Sequence, residues 1–346
     1  RSTRRDPTDG GRRGRIGHGG MLHGSEYWSK RQPCDKTGIM SKEPTTEVVQ
    51  GWIDGAVDVL HRTVLARAVR AWDVFVYSSL YITSIAVIEG WLATELLGLE
   101  PNAALGIIGL ITFSVYMNDR IADADTDRVS NPAQVAFVRR HQGGLFALAA
   151  GAYGLAVMLG VLGGPAALVL TLLPGVFWVC YALDYFSAVT DGVSRLKDIV
   201  VVNTVVVAVA WATTVTFLPV ALASQPVSAE VWAVFAFFLS RDFVHTEVPN
   251  VPDRFSDARI GVDTLPSRYG LVTTRRALYV LNLATLAFVA TAMSDLFASR
   301  ATTVALVGGL CYSSLAVGLI GRWSREDRLG TLSELEYPLL FLILVI

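Results

Sequence analysis

Asn118-Asp119-Arg120-Ile121-Ala122-Asp123-Ala124-Asp125-Thr126-Asp127 closes an apolar run that extends from Ala103 to Met117. Asp119, Asp123, Asp125 and Asp127 put four carboxylates into nine residues of a chain that is 52% hydrophobic. Helical spacing sets Asp119, Asp123 and Asp127 on one face, where like charges repel. A hard divalent cation relieves that repulsion. Mg²⁺ in particular binds through a few carboxylates, with substrate phosphates completing its shell. Taken alone, the stretch reads equally as a solvated acidic loop between two helices.

A second stretch shifts the balance. Asn250-Val251-Pro252-Asp253-Arg254-Phe255-Ser256-Asp257 comes after another apolar run, Val231 to Leu239, and again spaces two aspartates four apart. Two acidic clusters of like spacing, each trailing a hydrophobic segment, read as two halves of one site.

The chain has 346 residues and a mean hydropathy of +0.46, too apolar for an ordinary soluble domain. The fold class is all-α, a polytopic bundle of about nine transmembrane helices. The spans are expected near 72–97, 102–117, 144–163, 165–187, 199–221, 226–240, 277–295, 301–321 and 332–346. Residues 1–45 are polar and aperiodic and read as a disordered tail, or as sequence ahead of a start at Met21 or Met40. Residues 46–70 read as an amphipathic interfacial helix, and 71–346 as the transmembrane domain. A net charge of −1 gives no sign of a nucleic-acid partner. Cys34, Cys180 and Cys311 lie far apart, and the last two are expected as small core residues.

Fifteen basic residues fall in the connections after the second, fourth, sixth and eighth spans, against Arg300 alone in the alternate ones. That asymmetry places the even connections, and with them both aspartate clusters, on the cytoplasmic side. The clusters are then able to meet over one cavity, and their equivalent positions hint at a duplicated four-helix unit. Arg120, Arg195, Lys197 and Arg254 are candidate cations for a diphosphate bridged by the metal, or products of the positive-inside bias alone. Asn203, a turn inside an apolar run, faces either a ligand or a neighbouring helix. Arg70 is a snorkelling anchor or a phosphate ligand, and His245 reads first as structural. Gly261 and Pro266 bracket a turn, with Thr264 as a cap for the segment after it.

These residues together resemble the UbiA superfamily of intramembrane prenyltransferases, over roughly residues 65–346. Asp253-x-x-x-Asp257-x-x-x-Gly261-x-x-Thr264-Leu265-Pro266 is similar to the family's second motif, and Arg195-Leu196-Lys197-Asp198 to its segment before helix five. The first motif departs from NDxxDxxxD. Counting back from Asp123 and Asp127 puts Asp119 where the family has Asn, and Arg120 where it has Asp. The resemblance implies Mg²⁺ as cofactor, held by Asp119, Asp123, Asp127, Asp253 and Asp257, with Asp119, Asp123, Asp253 and Asp257 carrying catalysis. It implies a polyprenyl diphosphate gripped by Arg120, Arg195, Lys197, Asn203, Asn250 and Arg254, its tail in an apolar cavity open to membrane lipid. The allylic group would pass to a hydrophobic or aromatic acceptor. A non-catalytic relative and an ion-coupled transporter are the competing functions. The transporter would carry its acids near mid-membrane rather than at span ends.

Overall fold

Apolar runs punctuated by arginine-bearing connections fold here as helices. The computed structural model describes residues 46–125, 127–128, 131–182, 202–293 and 300–345. The expected tail and the segment holding Arg195 and Lys197 lie outside the described residues. The chain divides into two units, residues 1–62 and 63–346. Of the first, only the opening part of helix α1 is described, and the site belongs wholly to the second.

The helices are α1 (Thr46–Tyr77), α2 (Leu80–Leu96), α3 (Ala104–Ala122), α4 (Pro132–Leu162), α5 (Pro165–Ala182), α6 (Val202–Leu222) and α7 (Ala229–Glu247). Next come α8 (Asn250–Ile260), α9 (Leu265–Phe288), α10 (Arg300–Gly318), α11 (Leu329–Glu334) and α12 (Glu336–Val345). A π-helical turn, Val289–Met293, extends α9. The described parts of the expected spans are mainly helical, with non-helical residues at 78–79, 97, 102–103, 163, 226–228, 319–321 and 335. Among the described residues, three helices are long and apolar enough to cross a bilayer unaided, within α4, α6 and α10, and the bent pair α1–α2 makes a fourth. The others fall short for a visible reason: α3 ends in Asn118-Asp119-Arg120, α7 carries Arg241, Asp242 and Glu247, and α9 carries Arg275 and Arg276.

In a bilayer, apolar burial does little to hold helices together, because lipid is as apolar as leucine. Close packing and interhelical hydrogen bonds do the work. Gly90 on α2 and Gly109 on α3 show the packing. A Cβ on Gly90 would stand 2.8 Å from Ile108 Cδ1, and one on Gly109 would stand 2.9 Å from Val87 Cγ2. The two backbones approach closely because these side chains are missing. The core they join holds Ile107, Ile108, Ile111, Phe237 and Phe238. Large apolar side chains such as Leu162 (78% exposed) and Leu315 (72%) point outward, as lipid-facing positions do.

Two expectations, for Arg241 and Cys311, need correction. The first helical break falls at Ser78-Ser79, inside the expected span 72–97. α1 runs on to Tyr77 and meets α2 at 66°, with Ser79 at φ +61 in the left-handed region. Apolar periodicity continues through the bend, so hydropathy alone does not mark it. Arg241 is not in a connection: it is fully buried inside the bundle. It donates to Asn282 Oδ1 (2.7 Å), Ser313 Oγ (2.5 Å) and Glu336 Oε2 (2.6 Å), tying α7 to α9, α10 and α12. Cys311 is exposed rather than core, since α10 turns that side of its apolar surface outward.

Candidate active site

The first aspartate stretch is built by the end of α3. The helix proper stops at Ala122, yet its backbone spacing continues. The Asp123 amide donates to the Asp119 carbonyl (2.8 Å), that of Asp127 to Asp123 (2.9 Å) and that of Asn131 to Asp127 (2.8 Å). Asp119, Asp123 and Asp127 therefore keep the shared face that the sequence predicts. Asp125 leaves that face. Its side chain is 91% exposed and pairs with Arg139. Asn118 turns back on its own helix, donating to the Ser114 carbonyl at 2.9 Å.

The second stretch is α8, short and polar. Gly261, at φ +77, ends it in a left-handed cap that favours glycine. Thr264 then caps α9 through a reciprocal box with Ser267, and Pro266 sits in the first turn. The Thr264 hydroxyl also donates to Asp257 Oδ2 at 3.4 Å, fixing α8 against the start of α9. Glu247 closes the junction from below: its Oε2 accepts the Leu265 amide at 3.2 Å and its Oε1 the Thr204 hydroxyl at 2.5 Å.

Both stretches open on one cavity of about 1060 Å³. Asp119 and Arg120 of α3 and Asn250 and Asp253 of α8 line it, with Trp178 of α5. The Trp178 indole donates to Asp119 Oδ1 at 3.1 Å, and Arg120 donates to the carbonyl of Val76 at the α1–α2 bend. The bend thus positions the one arginine of the motif on the cavity wall. Deeper in, Tyr116 stacks on Trp211, with ring centroids 5.7 Å apart.

The acids of the two stretches feel one another. Burial, then Asp123, Asp253 and Asp119, push the Asp127 carboxyl up to about 7, against a smaller opposing pull from Arg120. Burial and the charge of Asp253 raise Asp257 to about 7 as well, opposed by the bond from Thr264 and reinforced by Asp127 and Glu247. Residues far apart in sequence share an electrostatic field, with the negative charge in excess.

Among the described residues, no three acidic, histidine or cysteine side chains converge closely enough to cage an ion by themselves. Mg²⁺ keeps several waters and takes one or two carboxylates together with substrate phosphates. The donor set is all oxygen, and its excess charge is of the sign a cation relieves.

Of the other expected phosphate ligands, Arg254 is not brought to the cavity. It bonds Glu326 Oε2 at 2.6 Å and stacks over the Phe255 ring at 4.4 Å, because α8 turns that face toward the segment before α11. Arg70 is exposed and off the wall. Arg195, Lys197 and the side chain of Asn203 lie outside the described residues. His245 lines the cavity, with Nε2 3.2 Å from Glu336 Oε2. Sequence reasoning passed over Trp178 and the wall residues Glu89, Asp242 and Glu334. Glu89 had a legible signal, a lone acid in the middle of an apolar span. Trp178 had none, because only the tertiary fold brings α5 to α3.

Fold and site define a polytopic helical membrane protein with two aspartate-bearing segments at one end of a single cavity. The chain belongs to the UbiA prenyltransferase family, whose sequence model matches residues 77–329. Among solved structures, it is similar to the apo structure of a UbiA homolog from Aeropyrum pernix K1. That match has 15% identity and a TM-score of 0.55, over 76% of this chain and 96% of that one. It is also similar to a UbiA homolog from Archaeoglobus fulgidus bound to GPP and Mg²⁺, at 13% identity and TM-score 0.55, over 78% and 99% of the two chains. The DMAPP- and Mg²⁺-bound form of the latter matches at 15% identity and TM-score 0.52, over the same shares. At these identities the likeness is one of fold. Comparison with curated proteins gives no match.

Proposed function

We propose that this protein transfers a polyprenyl group, within the membrane and with Mg²⁺, from a polyprenyl diphosphate to an acceptor, releasing diphosphate. The observation that carries the reading is the cavity shared by Asp119 and Asp253, acidic at its mouth and aromatic below. Structures of family relatives bound to GPP or DMAPP with Mg²⁺ support it.

In this reading Asp119, Asp123, Asp127, Asp253 and Asp257 hold the metal, directly or through water. When bound, Mg²⁺ supplies the positive charge that neutralises the diphosphate leaving group. Trp178 orients Asp119 by its indole bond. Arg120, anchored on the bend, and Asn250 face the phosphate oxygens, and Arg195, Lys197 and Asn203 add to that shell. Arg254 serves α8 rather than the phosphates, through Glu326.

The chemistry needs the C1–oxygen bond to break, charge to spread over the allylic carbons, and a nucleophile other than water to arrive. Tyr116 and Trp211 line that region, and aromatic rings there favour a cation. The apolar wall excludes the water that would otherwise quench it. The aspartate mouth faces the cytoplasm, on the strength of the basic asymmetry.

The test is turnover. Purified protein with radiolabelled geranylgeranyl diphosphate, Mg²⁺ and a panel of acceptors gives prenylated product and diphosphate. EDTA or Asp253→Ala stops it. Metal-independent binding of the diphosphate, unchanged by Asp253→Ala, would sink the proposal.

A further inference from the structure

The connection before α11 carries three arginines, Arg322, Arg325 and Arg328, which count alike toward the basic asymmetry. The structure separates them. Arg328 lines the cavity and the other two do not. Among the described lining residues, Arg120 and Arg328 are the only arginines or lysines. They are therefore the wall's permanent cations, since a guanidinium stays charged at any working pH.

Arg328 is held at the wall by its neighbours. It ends a short 3₁₀ turn, Glu326–Arg328. At the start of that turn, Glu326 Oε2 accepts from Arg254 of α8 at 2.6 Å. Just beyond it, Leu329 is fully buried and joins the apolar cluster of Val244, Val248 and Val251. Gly330 follows, so near the α7–α8 corner that a Cβ on it would stand 3.2 Å from Pro249 Cγ. The segment is thus pinned to the corner from which Asn250 and Asp253 reach the same cavity. The ion pair that withdraws Arg254 from the phosphates helps to fix Arg328 beside them.

The Arg328 guanidinium itself is barely engaged. Its Nε lies 4.0 Å from Asp327 Oδ2, with both side chains 64% exposed, and such a pair is worth little. That contact leaves Nη1 and Nη2 without a hydrogen bond among the described residues. The charge of Arg328 reaches the Tyr77 hydroxyl, at the end of α1. Arg120 donates to the carbonyl of Val76, the preceding residue. Two cations from different elements therefore meet at the α1–α2 bend.

A prenyl tail or a cationic group gains nothing from a guanidinium with open N–H donors. Phosphoryl oxygens do, because arginine meets them with paired, charge-assisted bonds. We propose that Arg328 is a second phosphate-binding arginine, which with Arg120 forms the cationic side of the mouth and grips the diphosphate. This rests on the prenyl-transfer reading and adds a residue to its diphosphate site.

Binding of an unreactive substrate tests it apart from turnover. The whole chain in detergent with Mg²⁺ is titrated calorimetrically with geranylgeranyl thiolodiphosphate, which resists ionisation. Arg328→Gln is expected to weaken binding about tenfold, the low end for a hydrogen bond between charged groups. Arg328→Lys should lose less, because it keeps the charge without the fork. Arg325→Gln removes the same charge from the same segment, off the wall, and should bind as wild type does. Melting temperatures of all three should match wild type, the Arg328 side chain being largely exposed. Unchanged affinity in Arg328→Gln, an equal loss in Arg325→Gln, or a loss that comes with a lowered melting temperature would each overturn the assignment. Failure of the wild type to bind the thiolodiphosphate with Mg²⁺ would instead bring down the prenyl-transfer reading, and the role of Arg328 with it.

Discussion

Two charged regions lie within a few helical turns of each other and are built on opposite plans. At the Arg241–Glu336 centre, a fully buried guanidinium meets a fully buried carboxylate, with Asn282, Ser313 and His245 taking up further bonds. At the mouth, Asp119 and Asp253 line the cavity with one motif arginine, Arg120, and Asp127 and Asp257 are each pushed up to about 7. The first region pairs its opposite charges internally and fastens four helices. The second holds an excess of one sign that a cation and a diphosphate would balance. Charge compensation inside the protein marks a structural role, and its absence marks a site that binds.

The comparison predicts opposite outcomes for mutation. The largest effects are expected at the mouth, on activity. Asp119→Ala and Asp123→Ala should each lose several kcal/mol of transition-state stabilisation, the scale of a metal acting on a phosphoryl oxygen, with Asp127→Ala between these and wild type. Steady-state turnover measures this. The same variants should melt no lower than wild type without metal, because each removes a like charge. A lowered melting temperature would make the mouth structural and break the contrast.

Next in size is the buried pair. Glu336→Ala strands Arg241 without its carboxylate partner and should cost about 3–5 kcal/mol of stability, read by thermal unfolding in detergent. Replacing Arg241 and Glu336 together by apolar residues should recover much of it. A double variant as unstable as the single would show that the bonds to Asn282 and Ser313, not the ion pair, fasten the helices.

Metal binding sharpens the contrast through pH. Asp127 faces Asp119, Asp123, Asp253 and Arg120, and Asp257 faces Asp253, Asp127, Glu247 and Thr264. Both carboxyls sit above their usual value, so in the metal-free protein their contribution to stability is lost as pH rises from about 4 through about 7. Mg²⁺ needs them ionised, so its affinity should climb with pH up to about 7 and then level off. Calorimetry in buffers of different ionisation heat should register protons released on binding at pH 6. No proton release there would show that these two acids stand outside the metal's reach.

The smallest effect belongs to Asp125, off the shared face and paired at the surface with Arg139. Asp125→Asn should change stability by under about 1 kcal/mol and keep most activity. A dead Asp125→Asn beside an active Asp119→Ala would overturn the helical register of the first stretch.

The sequence by itself determined the membrane class, the helical segments and the two aspartate stretches with their spacing. Each is a local property: hydropathy over about twenty residues fixes a span, and a four-residue period fixes a helical face. It also determined the cap at Thr264 and the turn at Gly261, since those need only the residue types at hand. Only the tertiary structure decided which polar groups meet. Arg241 and Arg254 look in sequence like their neighbouring arginines, yet one is locked on Glu336 and the other on Glu326. Arg120 reaches the cavity because a bend at Ser79 brings the Val76 carbonyl to it. Glu89, Asp242 and Glu334 become one wall only when α2, α7 and α11 pack around the same cavity. A side chain's charge is written in the chain, but its partner is set by distances between helices that no local pattern contains.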